Sequence, residues 1–240
     1  MIDAFNILSG GINLPHANMT DHLSLTPAAA VPSAILTIRG LSFRTEERML
    51  FDKVTIAITA GVTLMCGDEG TGKTTLLRLL AADLAAEAGD LRVGDILFSA
   101  QPEAYRQHVF WADPRTNAFD HTTPREYFKT VQQAWPAFND QMLDASIAGL
   151  SLGPHLDKKL FMLSTGSKRK VWLAAGFSSG ATVLLIDEPF VALDGASIAF
   201  VVSLLKHAEG DPSRACVIAN YVAPGGVALA GIIDLNGFAG

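Results

Sequence analysis

An apolar run, Gly61-Val-Thr-Leu-Met-Cys66, leads directly into Gly67-Asp-Glu-Gly-Thr-Gly-Lys-Thr74, and a Leu- and Ala-rich run follows at once. Strand, glycine loop and helix in that order are the context in which G-x-x-x-x-G-K-T works as a phosphate-binding loop. The glycines let backbone N–H groups converge on phosphate oxygens, and the following helix aims its positive end at the same anion. Lys73 is expected to reach the β- and γ-phosphates of a nucleotide, and the Thr74 hydroxyl to ligate Mg²⁺. Gly67, Asp68, Glu69, Gly70, Thr71, Gly72, Lys73, Thr74 and Thr75 are therefore candidate nucleotide contacts. Asp68 and Glu69 would repel a polyphosphate unless they point outward to solvent, which is expected here.

A second run, Thr182-Val-Leu-Leu-Ile-Asp187-Glu188-Pro189, reads as a fully buried strand ending in two carboxylates. At the end of a strand beside a phosphate loop, Asp187 is placed beside the Mg²⁺ site, usually holding the ion through water, and Glu188 is placed to act as general base toward an attacking water. Taken alone, an Asp-Glu pair closing a strand is commonplace. Its weight comes from the loop that precedes it.

The rest of the chain supplies a framework for these two segments. Ile35 to Arg39 and Val54 to Ile58 alternate apolar and polar residues as half-buried strands do. Thr74 to Glu87 reads as a helix stopped by Gly89. Short strands are expected near Leu91 to Val93 and Val109 to Trp111. Thr123 to about Leu160 reads as mostly helical, started by Pro124 and broken at Pro136 and Gly153-Pro154. A helix from Lys168 to Phe177, another from Ala196 to His207, and strands at Ala215 to Ala219 and Ile232 to Leu235 complete the pattern. Alternating strands and helices predict an α/β fold: a mainly parallel sheet, an antiparallel β flank at the start, and a helical insertion at about residues 115–170. Residues 34–240 are read as one nucleotide-binding domain. Residues 1–33, rich in Gly, Pro and Ala without a sustained period, are read as a flexible leader in which Met19 is a possible second start.

Composition narrows the function classes. Apolar residues make up 49% of the chain, enough for a sizeable core, and the formal net charge of −6 argues against a general nucleic-acid binder, so no nucleic-acid partner is expected. The basic run Lys168-Arg-Lys170 is read as a solvated helix face. The two cysteines, Cys66 and Cys216, make neither a metal cluster nor a disulfide framework; both read as small buried hydrophobes of a chain in a reducing cytosol. No run approaches the roughly 18 apolar residues of a membrane span, and the N-terminus has no secretory pattern. Work at a membrane would need a partner's helices.

Leu163-Ser-Thr-Gly-Ser-Lys-Arg-Lys-Val171 starts its Ser-x-Gly at Ser164, 23 residues before Asp187. It resembles the signature segment of the ATP-binding-cassette (ABC) ATPases, Leu-Ser-Gly-Gly-Gln followed by a basic residue. Ser164 and Gly166 match that pattern; Thr165 and Ser167 depart from it. In that family two nucleotides are sandwiched between two such domains, and the signature of one caps the γ-phosphate held by the other. Asp187-Glu-Pro-Phe-Val-Ala-Leu-Asp194 is similar to the family's metal-binding strand and the loop after it, with Asp194 exchanged across the dimer. Phe43 falls where the family places an aromatic that stacks on adenine, although a core Phe fits the position equally well.

Two family elements are altered. The glutamine that senses Mg²⁺ and the membrane partner is replaced in Val109-Phe-Trp-Ala-Asp-Pro114 by Ala112 or Asp113, and Gln101 precedes the strand rather than ending it. The switch histidine gives way to Tyr221, or to Asn220; a tyrosine hydroxyl donates a hydrogen bond but carries no positive charge. Both changes touch hydrolysis more than binding. The resemblance implies an ATP- and Mg²⁺-dependent ATPase subunit of a membrane transporter. It would work as a homodimer or pseudo-dimer bound to membrane-spanning subunits on the cytoplasmic face of the plasma membrane. The short chain and its signature are also similar to small exporter ATPases such as those of cytochrome c maturation. The alternatives are a soluble cassette ATPase outside transport, or a degenerate cassette that binds ATP as a switch.

Overall fold

The computed structural model describes residues 33–113 and 115–238. The reading of residues 1–33 as a leader falls, but for Ser33, outside the described residues. Two sheets organise the rest. In the first, β1 (Ala34–Arg44) pairs antiparallel with β2 (Met49–Thr59) and with β4 (Ala88–Val93), which pairs with β5 (Ile96–Leu97). This is the expected antiparallel flank. The second sheet is parallel, in the order β6 (Val109–Ala112), β7 (Val183–Asp187), β8 (Ala215–Ala219), β3 (Gly61–Cys66), β9 (Leu229–Asp234).

The parallel strands are apolar throughout because both faces are covered. In β7, Leu184 and Ile186 face one core cluster while Val183 and Leu185 face the other. In β8, Cys216 and Ile218 join the first while Ala215, Val217 and Ala219 join the second. The first cluster packs under α5 (Thr165–Ser178) and α6 (Gly195–Glu209), with Tyr127 and Phe128 of α3 (Pro124–Ala134) against it. The helix α4 (Asp140–Gly149) also contacts α5. The second cluster is filled by Leu76, Leu77, Leu79 and Leu80 of α1 (Lys73–Leu80) and by the inner face of the antiparallel sheet. Cys216 is fully buried, and burial pushes its thiol up to about 12, an inert packing residue. Cys66 is only half-buried. Among the described residues, no helix is long and apolar enough to cross a membrane.

Two expectations need correcting. The helix after the phosphate loop ends at Leu80 and does not reach Glu87. Tyr105, wholly buried on α2 (Pro102–Arg106), donates its hydroxyl to the Leu80 carbonyl at 2.7 Å, and Ala82 turns left-handed at φ 54°. The chain then runs out as β4 beside β1, so Gly89 lies in a strand and is not a helix stop. Helix propensity in this Leu/Ala run is overridden by the sheet that needs a third strand. The basic run Lys168-Arg-Lys170 is likewise not a solvated face. Lys168 pairs with Asp120 at 2.6 Å, Lys170 pairs with Asp194 at 2.6 Å, and Arg169 is buried with a guanidinium hydrogen bond to the Glu188 carbonyl.

Candidate functional site

All strands of the parallel sheet point the same way, so β3, β6, β7 and β8 deliver their C-terminal ends to one edge. The loop at Gly67 leaves β3 there and turns into α1. Gly67 and Gly72 adopt φ of 144° and 96°, and a Cβ on Gly72 would press against the Phe51 ring at 3.0 Å. Only glycine gives this path without strain. Asp68 and Glu69 are exposed, as their charge requires, with Glu69 at the rim of the cleft. The loop is fastened from outside: the Asp68 N–H donates to Asn236 Oδ1 at 3.0 Å, and the Arg48 guanidinium donates to the Gly70 carbonyl. Thr71 donates its hydroxyl to the Asp68 carbonyl at 2.9 Å.

Lys73 is buried, and its ammonium donates to the carbonyls of Gly67 at 2.7 Å and Asp68 at 2.8 Å. The Tyr221 ring, two residues after β8, lies over the same ammonium with 4.5 Å to its centroid. Asn220, the other candidate for this place, turns its amide to the Val222 carbonyl. Thr74 donates its hydroxyl to Asp187 Oδ2 at 2.6 Å. Burial pushes the Asp187 carboxyl above its ordinary range; the Thr74 hydrogen bond and the nearby Arg115 charge pull it back. Glu188 follows at φ 49°, a left-handed conformation rare for a side chain of this kind. It is held from both sides, its N–H donating to the Ala219 carbonyl at 2.9 Å and its own carbonyl accepting from Arg169. Strain fixed by surrounding structure is a recurring feature of reactive sites.

The result is a polar cleft of about 300 Å³ bordered by Glu69, Gly70, Gly72, Lys73, Thr74, Thr75, Asp187, Glu188 and Tyr221. Two further residues border it that the sequence did not single out, Leu50 and Arg115. Phe43 does not border it; it is half-buried against the second core cluster, opposite Phe51 in the strand ladder. Ser164, Gly166 and Asp194 do not border this cleft either. Ser164 caps α5 by accepting the Ser167 N–H at 3.1 Å, and it is exposed. Asp194 caps α6 by accepting the Ser197 N–H at 2.9 Å, and the Lys170 hydrogen bond holds its carboxyl well below the usual range.

Gly166 is buried where α5 crosses the loop after β7, and a Cβ there would sit 2.2 Å from the Ala192 carbonyl oxygen. Backbone cannot yield as a flexible side chain does. Gly166→Ala is expected to cost about 1–3 kcal/mol of stability by overpacking. Denaturant unfolding of both proteins measures this, and an unchanged midpoint would contradict the close packing.

Against known proteins, the family model described as ABC transporter matches residues 51–191. A cytochrome c biogenesis ATP-binding export protein from Vibrio cholerae is 28% identical over 180 residues, covering 73% of this chain and 86% of that protein. Its namesake from Saccharophagus degradans is 30% identical over 191 residues, covering 72% and 81%. A molybdenum import ATP-binding protein from Brucella melitensis is 33% identical over 147 residues, which cover 58% of this chain and 40% of that protein. Among solved structures, an ATP-binding subunit of an ABC transporter superposes with a TM-score of 0.70 at 18% identity, covering 78% of this chain and 80% of that one. A phosphate loop, a buried carboxylate strand and a signature-like helix cap, with a family match over more than half of its length, agree: the chain belongs to the ABC transporter family, as an ATP-binding subunit.

Proposed function

We propose that this chain binds ATP with Mg²⁺ in the cleft at the end of β3 and β7 and hydrolyses it to drive a membrane transporter. One observation carries the reading: Lys73, Thr74, Asp187 and Glu188 border a single polar cleft although 113 residues separate Thr74 from Asp187. The donor set fits the ligands. A hydroxyl and a buried carboxylate are hard oxygen donors of the kind Mg²⁺ takes alongside phosphate and water. Mg²⁺, when bound, supplies charge neutralisation across the phosphates.

The chain's own residues do the rest. Lys73 offers an ammonium that can leave two loop carbonyls for phosphate oxygens. The first turn of α1 presents N–H groups that have no acceptor within the helix. Glu188 takes the proton of the attacking water. Tyr221 offers a neutral donor where a histidine would offer a charged one, which favours binding over fast turnover.

Residues 34–240 then act as one nucleotide-binding domain with a helical subdomain at about residues 115–170. The exposure of Ser164, apart from the cleft, supports a role toward nucleotide on a second copy, as does that of Asp194. Peripheral attachment to membrane-spanning subunits on the cytoplasmic face completes the proposal. The named relatives include an exporter and an importer, so likeness favours neither direction. The test is purification of the tagged chain from membranes with and without ATP. Recovery of a polytopic membrane protein is the expected result; a purely soluble complex would count against the transporter reading.

A further inference from the structure

Arg115 reaches the two groups to which a metal ion is assigned. Its guanidinium is 3.3 Å from Thr74 Oγ1 and 3.7 Å from Asp187 Oδ2, the two groups assigned above to Mg²⁺. Magnesium takes oxygen lone pairs directly or through its waters, and the Thr74 oxygen that would serve it already accepts from Arg115 while Asp187 is paired with the same guanidinium. The two cations also repel each other. They cannot share the position.

The placement is built into the chain. Arg115 donates its backbone N–H to Asp113 Oδ1 at 2.9 Å, an Asx contact that holds Arg115 close to the end of β6. Asp120, five residues on, is held by Lys168 of α5 at 2.6 Å. The side chain itself is 65% exposed, so it can swing aside without disturbing packing. Charge gives it a purpose. The acidic side chains bordering the cleft are the carboxylates of Asp187, Glu188 and, at its rim, Glu69; the basic ones are Lys73 and Arg115. Without Arg115 three acids would face one ammonium, a field that repels a polyphosphate unless a metal is present. A guanidinium stays charged at any working pH and matches phosphate oxygens with its planar fork.

We propose that Arg115 and a divalent cation are alternative occupants of the position beside Thr74 and Asp187, so that this chain binds ATP without metal. The inference rests on the nucleotide-binding reading above. It makes Arg115 a binding residue for metal-free nucleotide and a competitor of Mg²⁺ for the same oxygens.

The test is the affinity of the full chain for ATP by titration calorimetry, once in EDTA and once in excess Mg²⁺. For the wild type, the two dissociation constants are expected to lie within about tenfold of each other. Arg115→Ala is expected to weaken binding in EDTA at least about tenfold while leaving binding in Mg²⁺ equal or tighter. Arg115→Lys, which keeps the charge and loses the fork, should fall between. A wild type that binds only with Mg²⁺, or an Arg115→Ala that shifts both constants equally or neither, would overturn the proposal. Absence of ATP binding by the wild type in both conditions would instead remove the nucleotide reading itself.

Discussion

Lys73→Ala is expected to weaken ATP binding at least about 100-fold, some 3 kcal/mol, which removes measurable binding at ordinary concentrations. The ammonium is the one side-chain cation buried in the loop, 9% exposed, with both of its hydrogen bonds on the loop's own carbonyls. Phosphate oxygens are stronger acceptors for a charged donor than neutral carbonyls, so the exchange favours nucleotide. Removing the ammonium costs those phosphate contacts and leaves the Tyr221 ring with nothing to face. It also strands the Gly67 carbonyl in a buried place, so some loss of stability accompanies it. A melting curve run beside the binding titration separates the two effects. Binding unchanged in a folded Lys73→Ala protein would sink the assignment of this cleft to nucleotide.

Much of this site was legible in the sequence because its parts are local. A phosphate loop is written in consecutive residues, and its glycines, Lys73 and Thr74 each have a fixed task in one turn of chain. The β7 strand was equally plain, since Val183, Leu184, Leu185 and Ile186, all buried, carry no polar interruption before Asp187. That Thr74 meets Asp187 followed from parallel strands ending at one edge, a topological consequence rather than a pattern match.

What stayed hidden depends on contacts between distant segments. Arg115 reads as an ordinary loop arginine; only the Asx turn at Asp113 and the position of β6 beside β7 bring it to Thr74. Its one sequence signal was its place just after the strand where the family carries a glutamine. Leu50 reaches the cleft because β2 crosses the phosphate loop, and nothing near Leu50 in sequence says so. The Lys168-Arg-Lys170 run reads as a solvated face for the same reason. Its acceptors, Asp120, the Glu188 carbonyl and Asp194, lie on three other segments. The early end of α1 was likewise decided by Tyr105, 25 residues away from Leu80.

Glu188→Gln is expected to lower the rate of ATP hydrolysis by about 10²- to 10⁴-fold while leaving ATP binding within a few-fold of the wild type. Glutamine keeps the size and the hydrogen-bonding reach of glutamate but cannot take a proton from water. The backbone that aims this side chain is fixed by the Ala219 carbonyl and by the Arg169 hydrogen bond to the Glu188 carbonyl, both of which glutamine keeps, so the substitution should leave the geometry intact. Asp187 does not offer a substitute base. Its Oδ2 already accepts from Thr74 and lies beside Arg115, and it is almost wholly buried. Phosphate release at saturating ATP and Mg²⁺ gives the rate, and titration calorimetry gives the binding. If hydrolysis is the step that reopens a closed pair of domains, the variant should also accumulate as an ATP-dependent dimer in light scattering. Equal hydrolysis rates for the two proteins would remove Glu188 as the base. They would leave a cassette that works by binding alone.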